Sequence, residues 1–212
     1  MADTQRPAAP VKAGITLQRV IDAAFTVLDR DGIGKLSTRA IAAELGVQTN
    51  TVMWHIQTKD RLLELMADAI MGEADLEDLP GAPAEQAAEL MRRLRRAMLA
   101  HRDGGSIVAG TFPVEPHTLA FADRMLTTLF GCCPTRKSAA WTSFTLLYFT
   151  LGLVQEQQAT PGDFRGRLRE SVDQHHFPGL SSVLADYVSF DYDERFAFGV
   201  DQILRSAVVA ED

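Results

Sequence analysis

A short helical pattern near the N-terminus carries polar and aromatic side chains on the face that points away from the expected core. These side chains are Thr49, Asn50, Thr51, Met53, Trp54 and His55. Each residue of a helix advances by about 100°, so Asn50 and Trp54 point outward if Val52 and Ile56 point inward. Selection for stability alone would favour Lys, Glu or Ala on such an outward face.

These groups have the chemistry of a surface that contacts double-stranded DNA. An Asn side chain can pair bidentately with adenine, and apolar surface can meet the methyl group of thymine. Threonine hydroxyls and a helix N-terminus suit phosphate oxygens. We therefore predict DNA contacts by Thr38, Arg39, Thr49, Asn50, Thr51, Met53, Trp54, His55 and Lys59. The alternative is that Trp54 packs against the following helix and His55 is an ordinary polar surface residue.

The elements around this face form a helix-turn-helix pattern. Apolar positions at helical spacing predict a first helix between Thr16 and Gly32. Ser37 is a suitable N-cap for a second helix, which Gly46 ends. A third helix begins near Thr49, after about three residues, and this spacing is typical of a helix-turn-helix unit. Many such helix pairs bind nothing, so the pattern alone is only moderately specific.

Helical patterns continue through the rest of the chain. Thr58 is the expected N-cap of a linker helix, Lys59–Asp78, with a cation in its first turn where the helix dipole disfavours one. A phosphate contact by Lys59 would explain that choice. Further helices are predicted at about 85–102, 116–130, 136–157 and 191–209, and a long connection at 159–179. No segment alternates with the two-residue period of a strand, so the predicted fold class is all-α.

Composition and charge restrict the class of protein. The 46% hydrophobic content is that of a folded globular protein. Residues 1–60 carry seven Lys and Arg against six Asp and Glu, a net charge of +1, whereas the remainder carries 14 against 22, a net charge of −8. The acidity therefore lies in the C-terminal part and leaves the N-terminal part free to approach phosphate.

Several kinds of site and location are disfavoured. Cys132 and Cys133 are adjacent, which is a poor geometry for a disulfide, and no histidine lies near them in sequence to complete a metal site. The longest apolar run, about 139–154, is interrupted by Ser and Thr and is shorter than the ~20 residues of a membrane span. The expectation is a cytoplasmic protein with no cofactor, no metal and no membrane partner.

The resemblance of the chain to a known family is carried by four segments. STRAIAAELGVQTNTVMWHIQTKDRLL contains a Trp-His pair with a lysine five residues after the Trp. It resembles the DNA-binding signature of the tetracycline-repressor (TetR) family. The segments HRDGGSIVAGTFP (101–113), YFTLGLVQEQQ (148–158) and ERFAFGVDQIL (194–204) are similar to segments of the tetracycline-responsive repressors themselves. The likeness therefore runs from Thr16 to about Val209.

This resemblance implies a domain organisation and a set of partners. The Pro and Ala content of residues 1–14 predicts a flexible arm. The resemblance implies a three-helix helix-turn-helix DNA-binding domain at 15–61 and a helical ligand-binding and dimerisation domain at 62–212. It also implies a homodimer in which two late helices pair with their copies as a four-helix bundle. Such a dimer suits a palindromic operator whose half-sites lie about 34–36 Å apart. The implied function is a repressor that a small-molecule effector releases from its operator.

The apolar content of the late helices agrees with this bundle. One stripe consists of Trp141, Phe144, Leu147, Tyr148, Leu151 and Val154, and the last helix supplies Phe196, Phe198, Val200, Ile203, Leu204 and Val208. A helix that is apolar over more than one face must be buried on most sides. The core of a monomer is the alternative explanation.

The predicted ligand site departs from the family pattern. In tetracycline repressors the ligand is a magnesium chelate held by a histidine, whose position here is Val108, and a second pocket histidine is replaced by Tyr148. Glu156 matches the glutamate that holds a metal-bound water, but one carboxylate is a poor magnesium site. We therefore expect a largely hydrophobic ligand. The candidate ligand-binding residues are Leu90, Leu94, Val108, Thr111, Phe112, Arg124, Tyr148 and Glu156.

Three other functions compete with a ligand-responsive repressor. A small-molecule-modifying enzyme could use His175 and His176 with Asp173, but adjacent histidines point in different directions and no catalytic motif accompanies them. A DNA-silent helical sensor or interaction protein would be expected to lose Arg39 and Lys59, and both are present. A ligand-responsive activator would differ only in where its operator lies.

Overall fold

The computed structural model describes residues 14–189 and 191–208, and those residues form helices and no strand. The predicted all-α class is confirmed. Of the predicted N-terminal arm, only Gly14 is among the described residues. Within the described residues there are twelve α-helices and one short 3-10 turn at Ile33–Lys35.

Of the first four helices, the first, second and fourth begin directly after the predicted capping residues. The four are α1 (Leu17–Asp31), α2 (Thr38–Leu45), α3 (Thr49–Ile56) and α4 (Lys59–Gly72). The hydroxyls of Thr16, Ser37 and Thr58 each accept a hydrogen bond from the backbone N–H three residues later, at 3.3, 3.2 and 3.0 Å. Gly46 ends α2 in the left-handed region at φ 64°, which a residue without a Cβ adopts at little cost.

The core of this N-terminal head fixes the orientation of α3. Val52 and Ile56 are fully buried and pack in one apolar cluster with Leu28 of α1, Ile41 of α2 and Leu62 of α4. Because these inward positions are one helical turn apart, the residues between them must face away from the core. The helix-turn-helix unit predicted from the sequence is therefore confirmed.

The C-terminal body is built mainly from four long helices and one short helix. They are α5 (Pro83–Ala100), α6 (Gly104–Ala109), α7 (Pro116–Leu129), α8 (Arg136–Ala159) and α12 (Tyr192–Val208). The guanidinium of Arg95 on α5 is buried and joins three of them, because it donates to Gln157 of α8 at 2.8 Å and contacts Asp193 of α12. A buried cation is tolerated only with such partners.

Three elements differ from the sequence prediction. The linker helix α4 ends at Gly72 and not at Asp78. The segment 159–179, predicted as a connection, contains the helix α9 (Phe164–Ser171) and the start of α10 (Pro178–Ser182), which is followed by α11 (Leu184–Tyr187). None of these three helices has a buried residue, so the sequence shows no apolar stripe there. The short helix α6 was not predicted.

Two connections hold the head against the body. One is α4, which packs against α1 of the head and against α6 and α7 of the body. The other is the turn between α5 and α6, where the carboxylate of Asp103 accepts from the backbone N–H of Ile33 at 2.8 Å. In the same turn the backbone N–H of Arg102 donates to Asp29 at 2.9 Å. Both connections join the head to the part of the body that contains α6.

None of the described helices combines the length and the apolar character that a membrane span requires. Cys132 and Cys133 lie in the turn between α7 and α8 as free thiols. Burial, together with the neighbouring Cys133, raises the pKa of Cys132 to about 11. Its thiol therefore stays protonated at neutral pH.

Candidate functional site

The outward face of α3 exposes the side chains predicted to contact DNA. Asn50 is exposed, Trp54 is 78% exposed and Met53 is 37% exposed. Thr49, Thr51 and His55 are half-buried on its flanks. The ring of Trp54 contacts the edge of His55, with centroids 4.8 Å apart, and little of it is covered by α4. The structure therefore leaves an amide, two hydroxyls, a thioether and an indole on one accessible surface.

Two unpaired cations flank this face. Arg39 near the start of α2 and Lys59 at the start of α4 are exposed, and neither belongs to an ion pair of the described residues. Arg30, by contrast, is held by Glu44 at 2.7 Å, a hydrogen bond that raises the pKa of its guanidinium. Thr38, also predicted to contact DNA, is half-buried beside Arg39. The free cations at the helix starts are suited to phosphate oxygens.

A cavity of about 600 Å³ lies in the body and is walled largely by apolar side chains. Its lining comes from α4, α6, the loop 110–115, α7 and α8, and consists of Met71, Val108, Ala109, Thr111, Phe112, Pro113, Val114, Thr118, Phe144, Leu147, Tyr148, Leu151, Gly152 and Gln155. A second space of about 150 Å³ shares Met71, Thr118, Phe144 and Leu147 with it. The volume is that of a site for a drug-sized molecule.

The polar groups of this cavity are few. Thr111 donates its hydroxyl to the backbone carbonyl of Ile107 at 3.1 Å, which leaves its oxygen able to accept. Tyr148 is 64% exposed at the wall, and Thr118 and Gln155 complete the polar lining. A few hydrogen-bonding groups on an apolar wall can orient a hydrophobic ligand.

The structure separates the predicted ligand-binding residues into two groups. Val108, Thr111, Phe112 and Tyr148 line the cavity. Leu90 and Leu94 are fully buried in the core of α5 and are not on its wall, and Arg124 is also not among the lining residues. Glu156 lies outside the cavity and forms an ion pair with Arg195 of α12 at 2.8 Å.

The cavity also has lining residues that the sequence did not single out as ligand contacts. Met71 comes from α4, Thr118 from the first turn of α7, and Gln155 from α8. The apolar stripe of α8 already contained Leu147 and Leu151, so their spacing was a usable signal. Met71 and Thr118 had no such signal, because their approach depends on how α4 packs against α7.

The residues present do not fit a magnesium-bound ligand. Val108 lines the cavity where the resemblance would place a histidine ligand, and its side chain has no lone pair. Glu156, the only matched carboxylate, is bound to Arg195. Among the described residues no cluster of three or more His, Cys, Asp and Glu side chains could hold a metal ion. The cavity is suited to an apolar organic molecule instead.

An apolar surface lies on α8 and α12, and it adjoins the cavity at Phe144 and Tyr148. Trp141, Phe144 and Tyr148 of α8 are 62%, 55% and 64% exposed, and Phe198 of α12 is 67% exposed. The two helices pack side by side, with the rings of Phe149 and Phe196 stacked at 6.3 Å. Large exposed aromatics on adjacent helices are typical of an interface with another chain.

The histidines considered for catalysis have a local structural role. The carboxylate of Asp173 accepts from the backbone N–H groups of His175 and His176 at 2.9 and 3.0 Å and contacts the His176 ring at 2.9 Å. The hydrogen bonds from His176 lower the pKa of Asp173. Both imidazoles are exposed. This is a turn closed by an Asp side chain.

Comparison with known proteins finds matches in both parts of the chain. Residues 20–66 match the family described as "Bacterial regulatory proteins, tetR family". Residues 75–206 match the family described as "Tetracyclin repressor-like, C-terminal domain". The first range contains α2 and α3, and the second contains the cavity apart from Met71.

Similar proteins extend over nearly the whole chain. The tetracycline repressor protein class A from transposon 1721 of Escherichia coli is 37% identical over 203 residues, covering 91% of this chain and 92% of the relative. The crystal structure of apo ActR from Streptomyces coelicolor is 30% identical with a TM-score of 0.85, covering 93% and 97%. ActR in complex with actinorhodin is also 30% identical, with a TM-score of 0.83, covering 92% and 97%.

Proposed function

The chain belongs to the tetracycline-repressor family of bacterial regulators, and we propose that it is a ligand-responsive transcriptional repressor of palindromic operators. The proposed protein binds DNA as a homodimer through the residues 15–61 and releases it when a small, largely hydrophobic molecule enters the domain 62–212. Members of this family are DNA-binding regulators and not enzymes. A regulator that acts on bacterial DNA works in the cytoplasm, which is the proposed location.

The observation that carries this proposal is the position of α4. This helix begins directly after α3, whose outward face offers Asn50 and Trp54, and Met71 in its last turn lines the cavity. One rigid element of 14 residues therefore joins the proposed DNA-contacting helix to the wall of the proposed ligand site. A molecule that displaces Met71 changes the orientation of the head.

The proposed dimer uses the apolar surface on α8 and α12. Its exposed aromatics, including Trp141 and Phe198, would be covered by the same surface of a second copy. A two-fold axis makes such an interface self-complementary and presents two α3 helices to two half-sites. A palindromic operator follows from that symmetry.

The proposed switch has two states that differ in the spacing of the heads. Ligand binding favours the state in which α4 has moved and the two α3 helices no longer reach successive major grooves. A coupling free energy of about 1–3 kcal/mol would change operator affinity by ~5- to 150-fold. By linkage the operator must weaken ligand binding by the same factor.

Selection of bound sequences from a random duplex pool tests the function. We expect an inverted repeat whose half-sites are about one helical turn apart, because a symmetric dimer reads the same bases twice. An enzyme or a DNA-silent sensor would enrich no sequence. Enrichment of nothing above the starting pool would therefore contradict the repressor.

Arg39→Ala should weaken DNA binding equally for all sequences. The guanidinium of Arg39 is exposed and unpaired beside α3, so we assign it a phosphate contact. The dimer carries Arg39 in both heads, so loss of the two contacts reduces the slope of log K against log salt by about 2 and leaves sequence preference unchanged. Binding to the selected operator and to random duplex, measured at several salt concentrations, gives that slope.

Arg167→Ala is the matched control, since Arg167 is an exposed arginine on α9, far along the chain from the head. We expect its salt slope to equal that of the unaltered protein. An unchanged slope in the Arg39→Ala variant would remove Arg39 from the interface.

Ala109→Trp should block the cavity against small-molecule ligands. Ala109 is a small, half-buried lining residue on α6, so an indole there occupies the space a ligand needs. A ligand at 100 times its Kd stabilises a protein by about 2.7 kcal/mol, which thermal unfolding detects. We expect compounds that raise the Tm of the unaltered protein, screened from a panel that includes actinorhodin, not to raise that of Ala109→Trp.

The control for this variant is Ala120→Trp, because Ala120 is exposed on α7 and is not a lining residue. It should keep every Tm shift. Equal shifts in both variants would place the ligand outside this cavity.

A further inference from the structure

The first turn of α7 is capped by a carboxylate from α4. The side chain of Asp68 is more than nine-tenths buried and accepts hydrogen bonds from the backbone N–H of Thr118 at 2.7 Å and from its hydroxyl at 2.9 Å. Its second oxygen lies 2.9 Å from Nδ1 of His117. A buried carboxylate depends on such donors, so α4 and α7 are bound to each other at this point.

The residue that would ordinarily cap α7 is engaged elsewhere. Glu115 is the N-cap of α7, but it makes no side-chain cap hydrogen bond. Its carboxylate pairs with Arg61 in the first turn of α4, a hydrogen bond that raises the pKa of Arg61. The N-terminus of α7 is thus held by two charged groups of α4, Arg61 and Asp68, about two turns apart.

Gly72 has no side chain and so leaves room for the ring of His117. A Cβ on Gly72 would lie 2.8 Å from Cγ, 3.0 Å from Cδ2 and 3.1 Å from Nδ1 of His117. Asp68 and Gly72 are four residues apart and share one face of α4. The ring therefore lies against the glycine while it contacts the carboxylate one turn earlier.

The same residues adjoin the cavity. Thr118 lines both the larger and the smaller cavity, and so does Met71, which lies next to Gly72 in α4. A molecule in this space touches a hydrogen-bond donor to Asp68 on one side and the last turn of α4 on the other.

We infer that Asp68, Gly72, His117 and Thr118 form a latch that transmits cavity occupancy from α7 to α4 and so sets the orientation of the DNA-binding head. The inference rests on the proposed function and assigns it specific positioning residues. While His117 and Thr118 are bound to Asp68, the latch is closed and holds α4 at the angle required for operator binding. A ligand that displaces Thr118 withdraws two donors from the Asp68 carboxylate, and α4 is released.

Gly72→Ala tests the latch without touching the α3 face. In a helix, Gly→Ala is ordinarily neutral or stabilising. Here the added methyl group must push the His117 ring away and open the latch. We expect hydrogen exchange in peptides covering 115–121 and 59–72 to become roughly tenfold faster, because the loss of the hydrogen bond between His117 and Asp68 is worth up to about that factor. We also expect affinity for the selected operator to fall by about fivefold or more.

Two further variants make the result specific. Gly166→Ala is the matched control, since a Cβ at that helical glycine meets nothing within 4 Å, and it should change neither measurement. In the double variant Gly72→Ala/His117→Ala the ring is gone, so the added methyl should have no effect beyond that of His117→Ala alone. This non-additivity is the signature of direct contact between the two positions.

If hydrogen exchange in Gly72→Ala became faster only in peptides covering 115–121, and operator affinity stayed the same, the contact with Asp68 would be only a local cap of α7. That result would overturn the inference. Additive effects in the double variant would also overturn it. Failure of the proposed function appears differently, as the absence of any enriched operator. The hydrogen-exchange measurement needs neither DNA nor ligand. It therefore tests the latch whether or not the proposed function is correct.

Discussion

We expect Asn50→Ala to lower the affinity of the protein for its selected operator by roughly 5- to 150-fold for each half-site, while affinity for random duplex stays the same. Asn50 is exposed on α3, and a bidentate contact between an amide and a base is worth about 1–3 kcal/mol of discrimination. Its removal affects the reading of one base pair in each half-site. Competition binding with operators substituted at each position measures the effect.

The matched control is Gln174→Ala, which removes an exposed amide far along the chain from the head. It should leave specific and non-specific binding unchanged. A uniform loss for all sequences in the Asn50→Ala variant would reassign Asn50 to a phosphate contact. No loss at all would remove the amide from the interface.

We expect Phe198→Asp to convert the proposed dimer to monomers and to abolish tight operator binding. Phe198 is 67% exposed on α12, so a charge there does not disturb the core of one chain. In the proposed dimer the carboxylate would be buried against apolar side chains, and substitutions at central aromatic residues of an interface cost about 2 kcal/mol or more. We expect the Kd of the dimer to rise by at least about 30-fold. Sedimentation velocity and operator titration measure the two effects.

Phe177→Asp is the control, because Phe177 is 50% exposed and lies outside α8 and α12. It should remain dimeric and bind the operator normally. If Phe198→Asp also remained dimeric, the surface on α8 and α12 would not be the interface. If it became monomeric but kept full operator affinity, one head would suffice for binding.

Local chemistry accounts for the parts of the fold that the sequence predicted well. Thr16, Ser37 and Thr58 cap their helices as expected, since an N-cap hydroxyl acts on a backbone N–H only three residues away. The outward direction of Asn50 followed from the inward direction of Val52 and Ile56. These inferences need nothing beyond a single helix and its cap.

Close packing between distant segments explains the helix that the sequence missed. Helix α6 has six residues and begins with two glycines, which ordinarily weaken a helix. A Cβ on Gly105 would lie 2.7 Å from Cγ1 of Val154, so the glycine is required by the close approach of α6 to α8. That requirement becomes visible only when α8 is in place.

The lining of the cavity could also be predicted only where it depends on a single helix and not on packing between distant segments. Leu147 and Leu151 belong to a stripe that the sequence displays, and both reach the wall. Leu90 and Leu94 also form an apolar stripe, but on α5 they face the core, because sequence spacing does not say which neighbour a face meets. Glu156 was assigned to the ligand, yet its partner Arg195 lies 39 residues away on α12.

The spacing of the two half-sites tests the central claim most directly, because it depends on the α3 face and on the dimer together. Inserting five base pairs between the half-sites turns one of them by about half a helical turn away from its head. We predict that affinity for this operator falls to the level of random duplex. Undiminished affinity with five added base pairs would contradict a dimer that reads two major grooves through α3.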